Sequence, residues 1–213
     1  MPLQLLPLAE SDIPRFAIID EAAMANWPYA EAIIGKGDAR IALVAKWLRE
    51  GWGKNPAEHY MKVVDTETGE MIAACMYELH PEPKAKQEEL SSQRHAPGEE
   101  GPASSVWEAS GRLGREFDAE FVGDKPYSQL NVLVTDPKHQ RRGAGSLLVA
   151  HVCKEADERN LLCRLTASQA GLAAYLKHGF EVKKIVPLDL RPYGFDSIED
   201  RRFMLRPAKD AAA

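Results

Sequence analysis

The stretch from Ser128 to Arg159 constrains the fold more than any other. "SQLNVLVT" is rich in β-formers, and its continuous apolar centre predicts a strand covered on both faces. "DPKHQRR" follows, and then "GAGSLLVAHVCKEADERN". In that last run Leu147, Leu148, His151, Val152 and Ala156 fall near one face, which predicts a helix. A strand that passes through a cationic, glycine-bearing turn into a helix calls for a layered α/β arrangement. "LCRLTA" after the helix predicts a second strand, so the unit is strand, helix, strand.

The flanking segments extend this pattern. Leu3 to Leu6 predicts a strand. Ser11 or Asp12 is placed to cap a helix that carries Ile13, Phe16, Ile19 and Ala23. "DARIALVAKWLREGW" predicts a second helix, started by Asp38 and ended by Gly51. Two β-rich runs around Asp65 to Glu70 predict a hairpin. "SSVWEASGRLGREFDAEF" predicts a helix with Ser104 or Ser105 as cap and with Val106, Leu113, Phe117 and Phe121 as contacts. "GLAAYLKHGF" predicts a short helix closed by Gly179. "EVKKIVPLDL" is expected to be the last strand, with a frayed tail from Pro207. The expectation is a mixed α/β sheet, part antiparallel and part parallel, with helices on both faces. The chain of 213 residues is expected to be one domain, 1–213. "PEPKAKQEELSSQRHAPGEEGP" has almost no large apolar residue, so a mobile insertion is expected at about 81–103.

Charge and cysteine usage narrow the functional classes. A net charge of −5 argues against a surface built for nucleic acid. Cys75, Cys153 and Cys163 are scattered, with no CxxC and no zinc-ligand spacing, so buried thiols and no metal are expected. The amino-terminal residues lack the charged start and apolar run of a signal peptide. No apolar segment approaches the ~20 residues that span a bilayer. A cytoplasmic protein that engages no membrane, as a monomer or homodimer, is expected.

The turn at Gln140 to Gly145 is more cationic than a strand-to-helix connection requires. The first amides of a helix lack intrahelical acceptors and carry partial positive charge. Glycines there let a ligand come close to the backbone. Arg141 and Arg142 can add charge-assisted hydrogen bonds. A phosphate or diphosphate suits such a place; glycines that merely relieve strain beside solvated arginines are the alternative. GxxxxGK[ST] is absent, and so is a third glycine at dinucleotide spacing, which excludes two common phosphate loops.

"LVTDPKHQRRGAGSLL" resembles the acetyl-coenzyme A motif of the GNAT acetyltransferases, whose core is Gln/Arg-x-x-Gly-x-Gly/Ala. "ASQAGLAAYLKHGFEVKKI" is similar to the segment that follows it in that superfamily, with Tyr175, Gly179 and Phe180 at the matching positions. The match runs from about Leu130 to Leu188. The resemblance implies the GNAT fold and an N-acetyltransferase that uses acetyl-CoA as cosubstrate. It implies that Leu133, Val134 and Thr135 form a bulged strand end whose backbone meets the pantetheine, with the Val134 amide polarising the thioester. Gln140, Arg141, Arg142, Gly143, Ala144, Gly145 and Ser146 would cradle the diphosphate. Ser168 would touch the cofactor, and Tyr175 would act as general acid.

The base is less apparent. Gln129 and Asn131 stand where some members carry an acid or histidine, and neither amide accepts a proton at neutral pH. Glu78 or His80 could serve through water, with a solvated loop position as the alternative for His80. Trp27, Tyr29, Trp47 and Trp52 are candidates for an acceptor pocket. A small-molecule amine is the expected acceptor. A protein or peptide acceptor, or a non-catalytic acyl-CoA-binding module, are the alternatives.

Overall fold

The computed structural model describes residues 2–82 and 102–212. The predicted mobile insertion lies outside the described residues apart from its ends. Seven strands form one sheet: β1 (Leu3–Pro7), β2 (Glu58–Asp65), β3 (Met71–His80), β4 (Tyr127–Thr135), β5 (Leu162–Ala167), β6 (Glu181–Asp189) and β7 (Ile198–Arg206). Their order is β1-β2-β3-β4-β5-β7-β6. Every neighbouring pair is antiparallel except β4 and β5, which are parallel and joined through a helix. The mixed sheet agrees with the expectation from sequence.

Six helices accompany the sheet among the described residues: α1 (Ile13–Met24), α2 (Pro28–Ile34), α3 (Gly37–Gly51), α4 (Pro102–Phe117), α5 (Ala144–Glu158) and α6 (Leu172–Lys177). On one face α5 buries Leu148, Val149, Val152 and Ala156 against β3 to β5. Leu147, predicted on that face, is 39 % exposed. On the other face α1 and α3 pack Phe16, Ile19, Val44 and Leu48 against Met76 and Val134. A third cluster ties α2 to α4 through Ile33 and Val106 and reaches Leu188 and Leu190. Among the described residues no helix is long and apolar enough to cross a membrane.

Several predicted details differ. Asp12 is the N-cap residue of α1, as predicted, but its side chain makes no capping bond; its carboxylate instead accepts the Ala9 N–H at 2.8 Å across a preceding 3-10 turn. Asp38 lies inside the first turn of α3, after an N-cap at Lys36. The helix expected to start at Ser104 or Ser105 begins at Pro102 and runs on into a π turn at Asp118–Val122. β3, rather than β4, is buried at every position. β6 is not the last strand, because β7 follows and inserts between β5 and β6. α6 closes as predicted. Gly179, at φ 81°, follows the helix, its N–H reaches the Leu176 carbonyl, and Phe180 N–H reaches that of Tyr175. This paired closure is the Schellman arrangement, and the apolar contact that accompanies it is Tyr175 on Phe180.

Candidate active site

The β4–β5 pairing stops early, and that opens the site. Tyr127–Leu130 pair with Leu162–Leu165, while β4 continues to Thr135 without a β5 partner. A register shift lies on the other edge: Met76 faces Val132 and Tyr77 faces Leu130, so Asn131 is the extra residue. The bulge therefore sits at Asn131, not at the predicted Leu133–Thr135. An extra residue bends its strand and disrupts the ladder locally, and β4 leaves β5 at this point.

The direction of each amide follows from alternation. In an antiparallel strand, successive residues address opposite edges with their N–H and C=O groups. Asp136 donates its N–H to Ile72 at 2.9 Å, on the β3 side. Thr135 accepts from Gln140 Nε2 at 3.4 Å with its carbonyl, on the other side. Val134, opposite Ala74, thus addresses β3. Leu133 and Thr135 address the edge that β5 has left. This corrects the role expected of the Val134 amide.

The turn into α5 is held by local bonds. The Asp136 carboxylate accepts from Lys138 N–H at 3.0 Å and from Arg15 at 2.8 Å. Arg141 is exposed and adopts φ 63°, and Gly143 adopts φ 93° as N-cap of α5. Backbone turned between right- and left-handed residues makes an anion-binding concavity. No side chain caps α5, so the amides of Ala144, Gly145 and Ser146 keep their outward donors. Thr135 Oγ1 lies 3.5 Å from where a Cβ on Gly145 would sit, so the strand end and the helix start are in contact. This arrangement fits a diphosphate.

Arg142 behaves differently from the expectation. Its guanidinium donates to Asp65 at 2.6 Å and meets His139 Nδ1 at 2.7 Å. Asp65 is the last residue of β2, where the β2–β3 turn begins, and is 3 % exposed. The hydrogen bond from Arg142 holds its carboxyl below the usual range. Ser146 Oγ likewise meets His178 Nε2 at 2.8 Å.

At the other end of the gap, α1, α2 and α4 roof a cleft of about 280 Å³. It is lined by Gln129, Asn131 and Leu133 of β4 and by Ser168 just past β5, and Tyr175 reaches into it from α6. Tyr175 is 8 % exposed. Burial pushes its phenol up, so it is a neutral proton donor at ordinary pH. Ser168 Oγ accepts from Gly171 N–H at 3.2 Å, which starts α6 and positions Tyr175. Gln129 and Asn131 bond each other.

Trp27, Tyr29 and Trp47 line the cleft, and Trp107 joins them from α4. Trp52 instead packs on Tyr60, with ring centroids 4.7 Å apart. Glu78 and His80 do not line the cleft. They pair at 3.1 Å and are buried, with His80 stacked on Tyr127, so the solvated loop position for His80 is overturned.

Four charged residues of the cleft, Asp20, Arg40, Arg164 and Arg201, were missed in sequence, and Asp20 and Arg201 bear most on its chemistry. Asp20, the one carboxylate among the described lining residues, is 5 % exposed. Arg40 Nε and Nη2 both reach its Oδ2 at 2.8 Å. No bond to Oδ1 exists among the described residues. Burial pushes the carboxyl up, against the pull of Arg40. Arg201, on β7, enters from the far side. Both residues read in sequence as ordinary surface charges; only the helical register of Asp20, four positions after Phe16, hints that it faces inward.

Residues 106–182 match the family described as "Acetyltransferase (GNAT) domain". An uncharacterised N-acetyltransferase of Escherichia coli, YedL, is 38% identical over 82 residues, which are 36% of this chain and 50% of that protein. The chain thus matches about half the length of this curated relative. A structure described as histone acetyltransferase HPA2 and related acetyltransferase from Corynebacterium glutamicum superposes with a TM-score of 0.64 at 20% identity. It covers 98% of this chain and 97% of its own. Arylalkylamine N-acetyltransferase 2 from Aedes aegypti gives 0.70 at 12% identity, covering 97% and 99%. At these identities the structural likeness concerns the fold.

Proposed function

Because the chain carries a GNAT acetyltransferase domain, we propose that it transfers an acetyl group from acetyl-CoA directly to the primary amine of a small molecule. The observation that carries this reading is the uncapped start of α5 beside the opened β4–β5 edge. Amides of 144–146 and the exposed Arg141 hold the diphosphate. The free amides of Leu133 and Thr135 hold the pantetheine arm, and Leu133, which lines the cleft, polarises the thioester carbonyl.

The amine nitrogen attacks the carbonyl carbon, and the carbon–sulfur bond breaks. Asp20 takes the proton from the amine, helped by the burial that raises its basicity. Tyr175 returns a proton to the departing thiolate. No acyl-enzyme is needed, and Cys75, Cys153 and Cys163 are all buried. A cleft of about 280 Å³ admits a small amine or one end of a larger molecule. The aromatic walls favour the small amine.

An amine panel with thiol detection tests the reaction. Acetyl-CoA-dependent thiol release is expected with at least one small amine. Tyr175→Phe is expected to lower kcat by ~100-fold with acetyl-CoA affinity nearly unchanged. Tight acetyl-CoA binding without turnover of any amine would instead make the chain a binding module.

A further inference from the structure

Three arginines line the cleft, and only two are matched by an acid among the described residues. Arg40 pairs with Asp20 at 2.8 Å, and Arg164 pairs with Asp118. Arg201 is 8 % exposed and has no ion pair among the described residues. Its Nε is buried without a hydrogen-bond partner. Its guanidinium carbon stands 3.7 Å from the Tyr29 ring centroid and 6.0 Å from that of Trp27. Stacking satisfies the face of a guanidinium; the Tyr29 oxygen also interacts with it, and no acid takes up the fork among the described residues.

Glu199, two residues before Arg201 on the same strand and so on the same face, is already engaged. Glu199 accepts from Trp27 Nε1 at 3.0 Å with one oxygen and from Ser197 Oγ at 2.7 Å with the other. It attracts Arg201 without pairing with it, and burial still pulls the arginine down. A buried charge without a partner is costly in a folded chain. A ligand that brings the opposite charge removes that cost.

Position identifies which ligand. β7 pairs Arg202 with Ala167, so Arg201 stands one step beyond, level with Ser168 at the end of β5. No residue from Val134 to Ser146 lines this cleft, so the diphosphate lies elsewhere. Arg201 therefore belongs to the acceptor end. A planar fork that no acid takes up matches a carboxylate bidentately.

Resting on the acetyltransferase reading, we infer that Arg201 anchors a carboxylate on the acceptor, so that the substrate is an amino-acid-type amine rather than a plain amine. The carboxylate docks on the guanidinium above Tyr29, and the amine is left to face Asp20 and the thioester.

The test compares α-, β- and γ-amino acids with their carboxamides in the thiol-release assay. At least one acid is expected to exceed its carboxamide in kcat/KM by ~10- to 100-fold, the scale of a hydrogen bond to a charged group. Arg201→Met should erase that gap, lowering kcat/KM for the acid far more than for the carboxamide, with acetyl-CoA affinity unchanged. It should also keep or raise Tm, because it removes a buried unpaired charge. Should that variant fail to fold, Arg201→Lys, which keeps charge without the fork, is expected to raise KM for the acid alone. Equal rates for acid and carboxamide, or an equal loss of both in the variant, would overturn the inference and leave the acetyltransferase reading standing. No turnover of any amine despite acetyl-CoA binding would sink both.

Discussion

At one end of the β4–β5 gap the groups that can meet a ligand come from a single stretch: the backbone amides of 144–146 and the neighbouring Arg141. At the other end they are side chains from α1, α2, α4, α6, β5 and β7. The first end depends on φ and on hydrogen bonds a few residues apart, such as Asp136 to Lys138. The second depends on distant packing, such as Arg40 of α3 bracing Asp20 of α1. The two should therefore fail in different ways. Damage at the backbone end should weaken cofactor binding, and damage at the side-chain end should slow chemistry or change the acceptor.

The largest expected effect tests the side-chain end. Asp20→Asn keeps an oxygen for Arg40 but cannot accept a proton. We expect kcat to fall by ~100-fold or more with acetyl-CoA affinity unchanged. Burial favours the neutral acid, so Asp20 ionises above the ordinary aspartate value of 3.8. In the wild type kcat/KM should rise with pH through that ionisation, and the Asn variant should lack this limb. A variant within threefold of wild-type kcat would reduce Asp20 to a counterion for Arg40.

Next comes the backbone end. Gly143 adopts φ 93°, and nothing lies within 4 Å of where its Cβ would sit. Gly143→Ala therefore meets only backbone strain, and a loss of acetyl-CoA affinity of a few-fold is expected. Gly143→Asp adds a negative charge where the diphosphate should bind, and the expected loss is ~100-fold. Calorimetry separates the two variants. Similar losses in both would mean that the loop's shape matters there and its charge does not.

The same contrast explains what could be read from sequence. The glycines and cations of 140–146 and the α6 closure at Gly179 are local, so spacing along the chain exposes them. α2 was missed because seven residues between Trp27 and Gly35 are too few to establish a helical period. β7 was missed because Glu199, Asp200, Arg201 and Arg202 read as a solvated run. They form a strand only because β5 and β6 supply a ladder on both sides. The bulge at Asn131 depends on its register with β3, a relation that the β4 sequence alone does not contain. Arg201 lies on β7 and stacks on Tyr29 of α2, so missing those elements concealed that side of the acceptor end as well.

The smallest effect separates two adjacent arginines that sequence treated alike. Arg141 is exposed beside the amides, so Arg141→Ala should weaken acetyl-CoA binding several-fold, less so at high salt, with Tm unchanged. Arg142 ties the helix start to the β2–β3 turn through Asp65. Arg142→Ala should lower Tm, because it leaves a buried carboxylate without its main partner, and should affect cofactor binding only as the turn loosens. The sign with pH follows from the hydrogen bond that holds Asp65 below 3.8. The stability this pair contributes is present above that pH and is lost as pH falls through the lower folded value. The Tm gap between wild type and Arg142→Ala should therefore be full near neutrality and narrow in acid. A gap that stays constant down to strongly acidic pH would show that Arg142 stabilises the turn by packing, without its charge.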